Sequence, residues 1–197
     1  MVSASAWNSL EVAKLVVSAL TPIVLFGLGF IVNRAGQRVE LARWSRQKVI
    51  ERRLELFNEM GPDLNDLFCF FLRVGHFKDI TPPDAIGRKR KLDRTFHSNR
   101  PLFSRDFGDR YQAFLDTCFV PFTGAGEPAK LRASADEQRL ERGADRWEPR
   151  WEGMFVESET PVEEIARTYD ALMNAFAYEL DVAPSELQGR PWLSLWA

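Results

Sequence analysis

The stretch from Leu15 to Val32 reads LVVSALTPIVLFGLGFIV, 18 residues without a charge, and it limits what this chain can be more than any other feature. At about 1.5 Å of rise per residue, a helix of that length spans roughly 27 Å of a ~30 Å hydrocarbon core. A cleaved signal peptide has a shorter apolar run followed by an A-x-A-like pair of small residues, and Val32-Asn33-Arg34-Ala35-Gly36 offers none. A buried core helix tolerates a polar face that this segment lacks. The expectation is an N-terminal segment and one transmembrane helix over residues 1–33. Pro22 costs one helical hydrogen bond, absorbed as a mild kink, and Gly27 and Gly29 are not the G-x-x-x-G pair of helix dimers.

The flanks orient the span. Only Glu11 and Lys14 carry charge before it, whereas Arg34, Arg38, Arg43, Arg46, Lys48, Arg52 and Arg53 follow it. Positive charge marks the cytoplasmic side, so the C-terminal part belongs in the cytoplasm and Trp7 anchors the outer interface. Arg34, Arg38, Arg43 and Arg46 then lie where an anionic leaflet attracts basic side chains at about 1 kcal/mol each, and they are the expected lipid-headgroup contacts.

Beyond the span, composition excludes three classes. With 45% hydrophobic and 27% charged residues the chain is neither disordered nor fibrous, and its net charge of −2 is not that of a dedicated nucleic-acid binder. The average conceals a gradient: residues 1–132 carry 20 basic and 14 acidic side chains, residues 133–197 carry 6 and 14. Docking of the two parts, within one chain or between copies, would relieve both.

The remaining pattern is helical. Ile50, Leu54, Phe57, Leu64, Phe68 and Phe71 keep helical spacings across Gly61-Pro62, which predicts one apolar stripe on two helices broken or kinked at the proline. The run Leu67 to Leu72 is apolar all round yet too short to cross a bilayer, so it belongs at the centre of a soluble core. Thr81-Pro82-Pro83-Asp84, Ser104, Ser134 and Thr160-Pro161-Val162-Glu163 each predict a helix start. No stretch shows the period-two alternation of a strand. The fold class expected is all-α: one N-terminal transmembrane helix, a basic juxtamembrane helix over 34–60, and a cytosolic helical-bundle domain over 61–197 with an apolar tail.

Few constellations suggest chemistry. Cys69 and Cys118 have apolar neighbours and read as free core thiols; His76 and His97 have no ligand spacing, so no structural zinc and no cofactor are expected. No nucleophile elbow, H-E-x-x-H or Walker lysine is present, and the chain is not expected to be an enzyme. Asp63 with Asp66, and Asp106 with Asp109, read as capping carboxylates at helix starts. Gly124-Ala125-Gly126-Glu127-Pro128-Ala129 matches G-x-G-x-x-A, but a dinucleotide site needs a strand before it and a helix after it, and a glycine turn at a helix end fits better. An anion or nucleic-acid site remains open at Gly124, Gly126, Lys130 and Arg132, together with the basic run Arg88, Lys89, Arg90 and Lys91 and the later Arg94, Arg100 and Arg105. The end, Pro191-Trp192-Leu193-Ser194-Leu195-Trp196, carries more apolar surface than water tolerates. Trp192 and Trp196 therefore pack on the domain, dock a partner or enter a membrane interface.

The stretches ERRLELFNEMGPDLNDLFCFFLRVGHFKDITPPDAIGRKRKLD, RPLFS and CFVPFTGAGEPAKLR resemble a group of bacterial single-span membrane proteins with a cytosolic helical domain. The resemblance covers about residues 10–180 and its motifs are structural, so it implies no activity. The layout is similar to that of membrane effectors of anti-phage systems. It implies a bacterial inner-membrane location, N-terminus outside, and an interaction module that binds a protein partner or forms a homo-oligomer. Nucleic-acid or nucleotide binding through Arg88 to Arg105 and the Gly124 loop is the alternative.

Overall fold

A computed structural model of the protein describes residues 9–120 and 129–182; over residues 9–42 it describes only part of the side chains. Five α-helices carry the fold: α1 Ser9–Leu72, α2 Pro82–Ser98, α3 Arg105–Cys118, α4 Ala135–Arg142 and α5 Val162–Glu179. A two-residue antiparallel pair, β1 Phe119–Val120 with β2 Lys130–Leu131, is the only sheet among the described residues. The chain divides into two units, Met1–Lys48 and Val49–Ala197, and the division falls inside the 34–60 segment read as a juxtamembrane helix.

In the first unit, the described side chains of the uncharged stretch lie bare. Leu20, Leu25, Phe26, Leu28 and Phe30 are 50 to 79% exposed. Among the described residues no helix is long and apolar enough to cross a membrane, and most side chains of 15–32 lie outside them.

The second unit is a helical domain closed by aromatic rings. The α1 backbone runs on through Gly61-Pro62 without the expected break. Proline costs one hydrogen bond, but Leu56, Met60, Leu64, Leu67 and Phe71 are buried on either side of it, and that burial outweighs the loss. After the proline the expected stripe holds, with Leu64, Phe68 and Phe71 buried; before it the burial shifts to Leu56 and Met60, leaving Leu54 49% exposed and Phe57 only half-buried. Phe70 and Phe71 stay at the centre, as their all-round apolar setting predicts. Phe96 of α2 stacks on Tyr111 of α3 at 4.2 Å, and Phe107 meets Phe176 of α5 edge to face at 4.5 Å. Such offset and T-shaped pairs contribute about 0.5–1.5 kcal/mol each beyond burial.

Three of the four predicted starts form as expected. Thr81 and Asp84 make a reciprocal capping box at α2, Ser104 accepts the Phe107 amide at α3, and Ser134 accepts the Glu137 amide at α4. The fourth differs. Pro161, not Thr160, is the N-cap of α5 and no side chain caps it, because the Thr160 amide is engaged on the Arg132 carbonyl at 3.2 Å. That bond continues the strand pairing. Arg132 and Leu131 tie back to Cys118 and Val156, a local use of backbone polar groups that no sequence period announces.

One carboxylate is held against its preference. Asp170 on α5 is half-buried with an unpartnered Oδ1, and burial raises its pKa above the usual carboxylate range. A carboxyl whose folded pKa is raised penalises the fold at neutral pH, and the penalty disappears as pH falls through that pKa. Asp170→Asn should raise the melting temperature by about 2–4 °C at pH 7, as about 1 kcal/mol implies in a domain of this size, with a smaller gain near pH 4. Equal gains at both pH values in thermal melts would show that charge is not the cause.

Candidate functional site

The basic run on α2 meets the acidic pair on α1. The Arg88 Nε lies 2.8 Å from Asp66 and 3.9 Å from Asp63, and the Lys91 ammonium lies 2.8 Å from Asp63. His76 also contacts Asp66 at 2.8 Å. Asp63 and Asp66 are therefore mid-helix partners of the basic cluster rather than caps, and the Asp63 carboxylate raises the pKa of Lys91. Lys89 pairs with Asp93 at 2.6 Å, and Asp93 accepts the Tyr111 hydroxyl at 3.0 Å. Arg100 donates to the carbonyls of Phe103 and Ser104 and lies so close over Gly108 that a β-carbon there would sit 2.7 Å from its guanidinium. Arg90 and Arg94, with His97, share the outer face of α2. Among the described residues, Arg90, Arg94 and Arg105 have no carboxylate partner.

The glycine loop stands between strands. Gly124 and Gly126 lie outside the described residues, but β1 precedes them and the antiparallel β2 follows, where a dinucleotide fold needs a helix. Lys130 is exposed on β2, and Arg132 is half-buried with Nε on the Phe119 carbonyl at 3.4 Å.

Nucleophiles are muted. Cys69 and Cys118 are free and buried, and burial pushes both thiols up, away from the thiolate that attack requires. Burial likewise pushes Tyr169 up to about 12. Among the described residues no three His, Cys, Asp or Glu side chains converge as a metal site.

The most distinctive concavity is apolar. Phe57, Gly61, Pro62, Asn65, Phe68 and Cys69 of α1 with Tyr169 and Met173 of α5 line an open groove of about 500 Å³. Its floor is the Phe68 ring stacked on Tyr169 at 4.3 Å, and Asn58 and Asn65 form an exposed polar rim. This is the volume of a small-ligand or short-peptide site. Phe57 lines the groove while still packing on the core, its ring meeting Phe176 edge to face at 5.1 Å.

Two polar anchors escaped the sequence reading. Arg142, 6% exposed, donates to the carbonyls of Phe77, Lys78 and Ile80 at 2.7–3.1 Å and lies over the Phe70 and Phe77 rings. Glu179, 4% exposed, accepts the Ser104 amide at 2.8 Å and pairs with Arg53 at 2.7 Å. The pair Arg53–Glu179, with Arg73 on Glu137 and Glu141, joins the basic part of the chain to the acidic part. Of the juxtamembrane arginines, Arg34, Arg43 and Arg46 are exposed, while the Arg38 side chain, like Trp192 and Trp196, lies outside the described residues. No protein-family model, no curated protein and no solved structure matches this chain.

Proposed function

We propose that this protein is a membrane-anchored, non-enzymatic interaction module, held by one N-terminal span with its helical domain in the cytoplasm. The observation that carries the reading is the bare apolar surface of Leu20, Leu25, Phe26, Leu28 and Phe30 on an uncharged helical stretch, with Arg34, Arg43 and Arg46 exposed just beyond it. Apolar side chains on this scale need cover, and lipid supplies it without a partner chain. The module acts by docking a protein or a second copy, as its resemblance to bacterial single-span proteins and the anti-phage effector layout suggest. An apolar groove and raised thiol pKa values suit binding better than catalysis. Nucleic-acid binding loses support because Arg88, Lys89 and Lys91 are held by the carboxylates of Asp63, Asp66 and Asp93.

Fusions at the C-terminus test the topology in bacterial cells. A fluorescent protein there should be bright and membrane-bound, and alkaline phosphatase inactive, because seven basic residues follow the apolar stretch against one before it. Active phosphatase overturns the orientation, and fluorescence in the soluble fraction overturns the anchor.

A further inference from the structure

We infer that the apolar groove between α1 and α5 is the docking site of the chain's own C-terminal segment, residues 191–196. Three observations lead there, and none depends on membrane anchoring.

First, the groove needs an apolar occupant. Phe57, Gly61, Pro62, Phe68, Tyr169 and Met173 surround it, and a β-carbon built on Gly61 meets nothing nearer than the Phe57 ring at 3.8 Å. The open space thus begins at the backbone of α1. Indole and leucine side chains suit such a surface, whereas a charged ligand would find no opposite charge among these residues.

Second, the described chain ends in a turn folded over the last turn of α5. Asp181 adopts φ 63°, the Val182 amide donates to the Ala177 carbonyl at 3.1 Å, and the Asp181 amide donates to Tyr178 at 3.1 Å. This is a Schellman closure with an aspartate where glycine is usual, so the chain turns across the helix end instead of continuing along its axis. Tyr169, Met173 and Ala177 are spaced four apart, one row along α5. Val182 is therefore tied to the same row that forms the groove wall.

Third, the reach is sufficient. Fifteen residues, 183–197, follow Val182, and the ten steps to Trp192 span up to about 33 Å when extended. Met173 lies nine residues before Val182, about 13 Å back along a helix. The connector 183–190 is polar, apart from Ala183, Pro184 and Leu187, and the apolar cluster begins only at Pro191, where the chain has length to double back. In this arrangement the tail occupies the surface that a partner's apolar segment would use, so the two compete.

The test uses the full chain in detergent. Ser194→Cys is combined in turn with Asn58→Cys and with Asn65→Cys, both exposed rim positions, and treated with a short bis-maleimide. The expected result is an intramolecular link, monomeric on a denaturing gel and located by peptide mapping, with at least one rim position. Because Cys69 lines the groove, the pairs are built on Cys69→Ala, and Ser194→Cys alone in that background should give no link, since Cys118 is buried. Adding Gly61→Leu, which fills the groove and favours the helix, should lower the yield at least fivefold while leaving the melting temperature within a few degrees. A link that forms only between chains assigns the groove to a second copy and overturns the proposal. No link at either rim position, or a yield unmoved by Gly61→Leu, overturns it also. Because topology is read from fusions and docking from crosslinks, failure of one is distinct from failure of the other.

Discussion

Arg142→Ala should destabilise the helical domain by about 3–5 kcal/mol, an effect expected of the deep core rather than of a charged residue on a short helix. The guanidinium fork donates to three carbonyls of the turn after α1, those of Phe77, Lys78 and Ile80, of which the Phe77 carbonyl also accepts the Ile80 amide at 3.1 Å. Its Nε donates to the Gln138 side-chain Oε1 at 3.1 Å, and the Gln138 Nε2 donates to the Phe70 carbonyl at 2.9 Å near the end of α1. Truncation leaves buried acceptors unpaired, each costing about 1–3 kcal/mol, and removes the cation from the faces of Phe70 and Phe77. Burial lowers the pKa of Arg142, but the group remains charged at every pH where the fold is tested. Arg142→Lys should recover little, since an ammonium on a linear stem cannot span three carbonyls as the planar fork does. Thermal melts of both variants check this: at 2–4 °C per kcal/mol, a drop of about 10 °C is expected for alanine. A drop under about 3 °C would mean that α4 is not anchored by this side chain.

Glu179→Ala should be the next most damaging change, at about 2–4 kcal/mol. The carboxylate ties three elements together: it accepts the Ser104 amide at the start of α3, pairs with Arg53 of α1, and is carried by the last turn of α5. Arg53 further donates to the Leu102 carbonyl at 2.6 Å and to the Glu179 carbonyl at 2.9 Å, so its orientation depends on the same junction. Its side chain is 22% accessible against 3% for Glu179, and solvent therefore softens the cost of leaving Arg53 unpaired. Glu179→Gln keeps the shape and an acceptor for Ser104 and should cost about half as much. A double-mutant cycle with Arg53→Ala isolates the pair, and coupling near zero in urea unfolding would show that the Ser104 bond alone matters.

Both anchors belong to what residue order alone does not reveal. Local chemistry was legible wherever the cause is local: Thr81-Pro82-Pro83-Asp84 closes its capping box, Ser104 and Ser134 cap their helices, and Phe70 and Phe71 are buried because nothing around them is polar. The all-helical class followed from the same signals, since period and cap are properties of neighbours in the chain. Pro62 does not break α1, because its penalty is local and small, whereas the burial that overrides it comes from residues far away in sequence. The Asp63 and Asp66 pair misled for the same reason, its partners Arg88 and Lys91 standing some 22 to 28 positions on.

The candidate groove was out of reach in the sequence. It exists because α5 returns beside α1 with Tyr169 and Met173 opposite Phe57 and Phe68, a juxtaposition of residues about a hundred positions apart. What the sequence by itself determined is the uncharged stretch 15–32, the basic residues beyond it, the starts of α2, α3 and α4 and the apolar character of the tail, because each depends on side chains within a few turns of one another. Only the tertiary structure decided which face of α1 is buried, which basic residues are already paired and where an open apolar surface remains. Burial, ion pairing and concavity are relations between distant segments, and chain order does not contain them until the helices pack.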